Sequence, residues 1–295
     1  MNSLHGFLLT LVGSSCALGA GTLVGHWPFD ESGGLTAVDA GPNGYDGALA
    51  GAAAFVPGGI SGNALQCVSA SNDLVNMGAI PFNASPFSLA AWVKTTGTGH
   101  FIVAGRHRAT IVQGYFLALN AGAGYGLPGK AYAYVSTGPG NEPISTTTVT
   151  DGQWHHLLMT HRPGGPATIY IDGVLEATGN PGYNPTDAPF IVGGLFNSGS
   201  VPVGSYDGLV DDVQLYSGVL NGRQICQIVN NPGAAALASI DGDVNGDGLV
   251  NFADLNILLS SFNMSGFCLQ GDVDGDGVVG FADLNRLLSN FNAGA

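Results

Sequence analysis

Two segments, GDVNGDGLVNFADLNILLSSFN (residues 242–263) and GDVDGDGVVGFADLNRLLSNFN (residues 271–292), repeat oxygen-bearing side chains at one fixed spacing. A twelve-residue EF-hand loop takes calcium ligands from positions 1, 3, 5, 9 and 12, a backbone carbonyl from position 7, and a glycine at position 6 for its sharp turn. In the first copy Asp243, Asn245, Asp247, Leu249 (through its carbonyl), Asn251 and Asp254 fill those places around Gly248. In the second they are Asp272, Asp274, Asp276, Val278 (carbonyl) and Asp283 around Gly277, while Gly280 at position 9 leaves that place to water. An all-oxygen donor set of this kind selects a hard cation, and the expected cofactor is Ca2+, one ion per loop. Loop two carries four carboxylates against three in loop one, which favours tighter electrostatic binding there. Without a cation these acids repel one another, so metal uptake and folding of the tail are expected to be linked.

Each loop runs into a short amphipathic pattern, Leu255, Leu258, Leu259, Phe262 in the first and Leu284, Leu287, Leu288, Phe291 in the second. That spacing predicts two helices, each too short to bury its apolar stripe alone, and therefore packed face to face. No amphipathic helix enters the first loop, since the preceding PGAAALASIDG has no such period. A loop followed by a helix, twice, with Asp at position 12, resembles the type I dockerin family over residues 241–292. The resemblance implies a small non-catalytic module that docks on a cohesin-like receptor. Loop positions 10 and 11, which carry partner recognition in cellulosomal dockerins and are often Ser-Thr there, are Phe252-Ala253 and Phe281-Ala282 here. These two pairs are the expected docking residues, with a different partner. The alternative is a calcium-stabilised tail without a receptor, each Phe being buried against the other repeat.

Composition narrows the rest. Of the formal charge of −14, residues 241–295 carry eight Asp against one Arg, and the remainder thirteen acids against six bases, so each part contributes −7. No basic patch exists for nucleic acid to use. Residues 7–12 form an apolar run followed by the small-residue stretch SSCALGAG, the pattern of a secretory signal spanning residues 1–20 with cleavage near 19–21, although no Lys or Arg precedes the run. No segment is long and apolar enough for a membrane span. The protein is therefore expected to be secreted or on the cell surface. Of four cysteines, Cys16 falls in the leader; Cys67 in ALQCV reads as a buried apolar residue, and Cys226 and Cys268 are free to pair with each other or not.

Between residues 22 and 220 short β-type runs alternate with Gly/Pro/Asn/Asp turns, among them FSLAAWVKT (87–95), KAYAYVS (130–136), WHHLLMTH (154–161) and GLVDDVQLYS (208–217). The amphipathic NGRQICQIVNN (221–231) closes the domain, and residues 232–240 read as a linker. The fold class is mainly β: an antiparallel jelly-roll β-sandwich over residues 22–231, plus a small all-α domain of two calcium loop-helix repeats over 241–295. The motifs HWPFDES (26–32), PFSLAAWVKT (86–95), DGQWHHLLMTH (151–161), IYIDGV (169–174) and DGLVDDVQLYSGVL (207–220) follow the order of the laminin-G-like, concanavalin A-like jelly roll, which this segment resembles. The resemblance implies a binding or adhesion fold, often for carbohydrate. It also implies a structural calcium held by an acid after the first strand and one in the last, here Asp30 and Asp211, with Asn43 or Gly44 offering a carbonyl.

Catalytic alternatives find little support. Retaining glycosidases need two neighbouring carboxylates, yet Glu31, Glu142 and Glu176, all the glutamates there are, fall in separate segments. His155 and His156 are adjacent in a strand and so point to opposite faces. GYGLPGK (124–130) matches a phosphate-loop pattern, but a strand-like AYAYV follows where a helix is required. Tyr132 and Tyr134 share one strand face: exposed, they form a stacking platform for sugar rings; pointing inward, they are core. The expectation is a secreted non-catalytic binding protein for carbohydrate or another surface ligand, with a structural or adhesion role contacting other proteins as the alternative and a polysaccharide hydrolase third.

Overall fold

The computed structural model describes residues 21–294 apart from 82–85, 109–112, 121–126, 136–140, 163, 181 and 198–200. The expected signal segment, residues 1–20 with Cys16, and residues 124–126 of the glycine-rich motif lie outside the described residues. In chain order the strands are β1 (Thr22–Trp27), β2 (Thr36–Ala37), β3 (Gly47–Ala50), β4 (Ala54–Pro57), β5 (Asn63–Cys67), β6 (Leu74–Asn76), β7 (Phe87–Lys94), β8 (Phe101–Arg108) and β9 (Gln113–Leu119). They continue as β10 (Ala131–Val135), β11 (His155–His161), β12 (Ala167–Ile171), β13 (Val174–Gly179), β14 (Ile191–Val192), β15 (Leu195–Phe196), β16 (Pro202–Val203) and β17 (Gly208–Ser217). Three helices follow, α1 (Gly222–Asn230), α2 (Phe252–Ser260) and α3 (Phe281–Ser289).

The strands form two facing antiparallel sheets, in the orders β13-β12-β11-β7-β17-β5-β4, with β1 also on β17, and β10-β9-β8-β14-β6-β3-β2, while β15 and β16 pair as a separate two-stranded sheet. Strand β7 shows how side chains are divided between faces. Leu89, Ala91 and Val93 join the core between the sheets, together with Leu157 and Met159 of β11 and Leu215 of β17. The alternate residue Ala90 faces outward, where Leu158, Tyr170 and Tyr216 meet Leu220, Ile225 and Ile228 from the α1 region. Both faces of this sheet are thus covered, which is why FSLAAWVK is apolar almost throughout instead of alternating. Helix α1 is fixed at its start by a capping box, the Asn221 side chain accepting from Gln224 N at 2.9 Å.

Residues 232–240 have no regular structure, yet hydrogen bonds hold them to the jelly roll. Gly233 N donates to Asp212 Oδ2 and Ala236 N to the Tyr216 hydroxyl, each at 2.8 Å, and Leu237 N donates to Gln227 Oε1 at 3.1 Å. The Asp212 carboxylate is itself set by the buried His26, whose Nε2 lies 2.6 Å from Oδ1, and by Gln214 Nε2 at 2.7 Å. Beyond this segment Cys226 of α1 is disulfide-bonded to Cys268 of the tail, with Cα atoms 5.3 Å apart. Cys67 is the free thiol among the described residues; it lies in the core, where burial pushes its pKa well up.

In the tail Leu258 and Leu287 are buried together with Val250, Val273 and Val279, and Leu255, Phe262, Leu284 and Phe291 pack around them. The helices do pack on each other, but the expected stripe is narrower: Leu259 and Leu288 face solvent, and loop valines take their place. Each helix end pairs with the other repeat's loop, Asn263 N donating to Val279 O and Asn292 N to Val250 O, both at 2.8 Å. Both asparagines adopt left-handed backbone, with φ of 65° and 70°, as a helix terminus turning into such a bridge requires.

Tyr132 and Tyr134 occupy neither of the simple positions. They lie on the outer face of the second sheet, opposite Ala131, Ala133 and Val135 in the inter-sheet core, and build a second apolar cluster with Ile102, Phe116, Ala118 and Leu195. The rings are 1% and 5% exposed, so they offer no open stacking platform. Tyr134 stacks on Phe116 with centroids 4.5 Å apart, and the Tyr132 hydroxyl lies 2.8 Å from His100 Nε2. Tyr134→Ala should therefore cost about 3–5 kcal/mol, read as a lowered midpoint in urea unfolding; a midpoint shift near zero would mean that the ring is not packed.

Candidate metal loops and exposed aromatic face

The two loops fold alike because their side chains serve their own backbone in the same way. Asp243 accepts from Gly246 N at 2.6 Å and Gly248 N at 3.1 Å; Asp272 accepts from Gly275 N at 2.8 Å and Gly277 N at 3.0 Å. At position 3, Asn245 and Asp274 accept from Asp247 N and Asp276 N; at position 5, Asp247 and Asp276 accept from Leu249 N and Val278 N. The residue at position 12 closes each loop and starts its helix. Asp254 accepts from Val244, Asn245 and Asn251 amides, and Asp283 from Val273, Asp274 and Gly280 amides. Gly248 and Gly277 at position 6 both have φ of 85°, the left-handed turn that the motif demands.

These bonds turn carboxylates of like charge toward a common point. Asp272, Asp274 and Asp276 bring ligand oxygens within 4.8 Å of one another. Burial, then the neighbouring Asp283 and Asp274 charges, push the Asp272 carboxyl up to about 7, and Asp274 is raised by burial and by Asp283 and Asp276. A hard divalent cation fits this donor set: every donor is oxygen, and a cation would remove the repulsion. Loop one has Asn245 where loop two has Asp274, so its acidic crowding is milder. Asn251 at position 9 is spent as the helix N-cap, its Oδ1 accepting from Ala253 N at 2.7 Å.

Phe252 and Phe281 are not core. They are 69% and 73% exposed, at the first residue of their helices, with Ala253 and Ala282 exposed beside them. Each ring stands edge-on to a phenylalanine of the other repeat, Phe252 to Phe291 at 5.1 Å and Phe281 to Phe262 at 5.2 Å. Leu259 and Leu288, seven residues on, are half exposed on the same helices. The result is two equivalent apolar patches, one per repeat, each presented by a helix whose start is fixed by its loop.

Asp30 and Asp211 are turned to one and the same short turn, each bonded to its backbone. Asp30 Oδ1 accepts from Asn63 N at 2.9 Å, and Asp211 Oδ2 accepts from Ile60 N at 2.8 Å, so the two acids clamp residues 59–63 from opposite ends. Asn43 donates its side-chain amide to Val24 O at 2.7 Å, and Gly44 is left-handed with φ of 67°. The histidine pair separates as strand geometry requires. His155 contacts Asp172 at 2.8 Å and Asp151 at 3.3 Å, whereas His156 is buried edge-on to Trp92, and burial pushes its imidazole down to about 4. Glu31 accepts from Val38 N and Glu176 from Thr146 and Thr147, in separate parts of the fold. The described end of the glycine-rich motif, residues 127–130, turns into strand β10 and not into a helix.

Two further side-chain contacts bear on this region from outside the loops. Arg223 of α1 reaches loop one, with Nη1 3.5 Å from Asp243 Oδ2. The His26–Asp212 pair fixes the segment leading to the tail. The Asp211-Asp212 doublet was the available signal for the second, since Asp212 takes φ of 48° within a strand, where its side chain turns away from the alternation.

A carboxyl whose pKa is higher in the folded state than unfolded stabilises the fold at low pH, and that contribution is lost as pH rises through the folded value. For Asp272, raised from the ordinary aspartate value to about 7, the loss falls across about pH 4 to about pH 7. Chelated protein should therefore lose helical far-UV signal at lower temperature at the alkaline end, and calcium should abolish the trend.

A family model described as the concanavalin A-like lectin/glucanases superfamily matches residues 69–226. Domain 4 of AbnA, a GH43 extracellular arabinanase from Geobacillus stearothermophilus solved with arabinotriose, is similar with a TM-score of 0.53 at 19% identity, covering 72% of this chain and 98% of that one. The binding domain of Paraclostridial Mosquitocidal Protein 1 gives 0.54 at 15% identity over 70% of this chain and 52% of that one. The botulinum neurotoxin serotype D binding domain gives 0.51 at 15% identity over 72% and 52%. The chain thus spans about half the length of the two toxin domains, and identities this low speak to fold alone. No curated protein matches the chain.

Proposed function

Because the chain belongs to the concanavalin A-like lectin/glucanases superfamily, we propose that it is an extracellular, non-catalytic glycan-binding protein with a calcium-loaded docking tail. The observation that carries the binding role is the jelly roll itself, a fold shared with the arabinanase domain solved in complex with arabinotriose and with toxin binding domains. The three glutamates in separate places favour binding over hydrolysis. Export is supported by the Cys226–Cys268 disulfide, a bond that persists in oxidising compartments. Among the described residues no helix is long and apolar enough to cross a membrane.

For the tail, Asp243, Asn245, Asp247, Leu249 and Asp254 would hold one Ca2+, and Asp272, Asp274, Asp276, Val278 and Asp283 the other. The ions would supply charge neutralisation and a fixed loop shape; the protein's own contribution is to aim the donors and start each helix. Loading would then fix the presentation of Phe252-Ala253 and Phe281-Ala282 to a protein receptor of the cohesin-like kind. Exposed aromatics flanked by small residues support that use, since buried aromatic anchors carry much of the energy at interfaces. An adhesion role, in which the jelly roll contacts protein instead of glycan, is the second reading.

A glycan array probed with the full-length secreted chain separates the two: retention on plant- or host-type polysaccharides supports the lectin role, and a blank array with retained protein contacts supports adhesion. Isothermal calorimetry should find two calcium ions per chain. Phe252→Ser with Phe281→Ser should leave calcium affinity unchanged while abolishing pull-down of a receptor. Loss of the folded tail in that variant would return the phenylalanines to the core and remove the docking surface.

A further inference from the structure

Both metal loops press against the same helix of the jelly roll. Gly222, the first residue of α1, donates its amide to Val273 O at 3.3 Å, and a Cβ on it would stand 2.1 Å from the Asp272 carbonyl oxygen. Gly275, the fourth residue of loop two, rests on Gly222 and Ile225: a Cβ there would lie 2.9 Å from Ile225 Cδ1. The next residue of α1, Arg223, turns to loop one. Its Nη1 is 3.5 Å from both the carbonyl oxygen and Oδ2 of Asp243, and a Cβ on Gly246 would lie 2.0 Å from Nη2. The fourth-position glycines of two separate loops are therefore seated on two consecutive residues of one helix.

We propose that calcium uptake by the loops and seating of the tail on α1 are a single coupled event, so that calcium sets the stability of the jelly roll as well as that of the tail. The inference rests on the calcium reading above. Each fourth position lies between ligands 3 and 5, so a loop pushed open by its own acids moves that glycine off α1, and a loop closed on a cation restores it. The other face of α1 is no bystander: Ile225 and Ile228 bury against Ala90, Leu158, Tyr170 and Tyr216 of the sheet. A change at the loops therefore reaches the sheet through one short, capped, disulfide-anchored helix. Coupling of this kind is reciprocal, and the seated helix must raise calcium affinity by the factor that calcium lends to seating.

The three tryptophans, Trp27, Trp92 and Trp154, all precede the tail, so their fluorescence reports unfolding of the jelly roll alone. In the full chain, the tryptophan-monitored Tm should rise by several degrees between excess chelator and saturating calcium. Gly222→Ala places a methyl group against the Asp272 backbone, touches no ligand side chain and improves helix propensity. It should weaken calcium binding about tenfold and erase most of the Tm shift. Arg223→Gln, at a partly exposed side chain outside the core clusters, should fold regardless and lose the share of the shift that comes through loop one. Two ions bound by calorimetry with an unmoved tryptophan transition would overturn the coupling and leave the calcium reading intact. No bound ion at all would overturn both. If Gly222→Ala fails to fold, an Arg223→Gln protein with an unchanged or larger shift overturns the coupling by itself.

Discussion

The contact on which the arrangement depends is that between α1 and the outer face of the first sheet. A jelly roll buries the inner faces of its sheets against each other; an outer face that is also apolar must find a separate cover. Here Ala90, Leu158, Tyr170 and Tyr216 form that second apolar surface, and Ile225 and Ile228 cover it. Once α1 is seated, its remaining sides decide what comes next. Gln224 ties it to Gly21 through two hydrogen bonds, and Gln227 holds Leu237 N. Cys226 and Arg223 are left to face the tail. The tail is accordingly a packed continuation of the domain, not a bead on a string.

The repeat within the tail has its own logic. Two short loop-helix units exchange contacts so completely that neither owns its core: Leu258 and Leu287 are buried together, and each helix end hydrogen-bonds the opposite loop. Such an exchange consumes one face of each helix and leaves an equivalent face free on both. Phe252 and Phe281 sit on those free faces, steadied only at their edges by Phe291 and Phe262. Repetition of Phe-Ala in sequence is thus matched by a repeated surface, and core packing does not account for it.

Much of this was legible before the structure. Strand runs such as FSLAAWVK, the helix over residues 221–231 and both loops follow from local rules: short apolar runs bounded by turn residues, a period near four, and oxygen donors at fixed offsets. What local rules left open depended on distant partners. Tyr132 and Tyr134 were correctly placed on one face, but whether that face is covered depends on Ile102 and Leu195 from other strands. Leu259 and Leu288 satisfy a helical apolar pattern and yet face solvent, because Val250 and Val279 arrive from the loops to fill the core instead. Residues 232–240 looked like a linker by composition; their fastening comes from Asp212 and Tyr216, polar groups of a strand whose outward face only the fold reveals.

Charge distribution carries the argument one step further. The chain has seven Lys and Arg in all, and three of them gather at the seam between tail and jelly roll. Arg223 lies at Asp243, Arg286 is 3.8 Å from Asp241, and Arg162 shares the electrostatic neighbourhood of Arg286, Asp241 and Asp274. In a protein this poor in cations, that concentration answers the acids on the side of the tail that faces the jelly roll. It touches the loop-two cluster at Asp274, where the Arg286 charge favours the ionised form, yet burial and the neighbouring acids still hold the Asp272 and Asp274 carboxyls above their usual range. The arginines thus favour the seam, while the crowded acids of the loop interior work against its closed shape. That division gives one acidic segment a side that arginines answer and a side whose acids still repel one another.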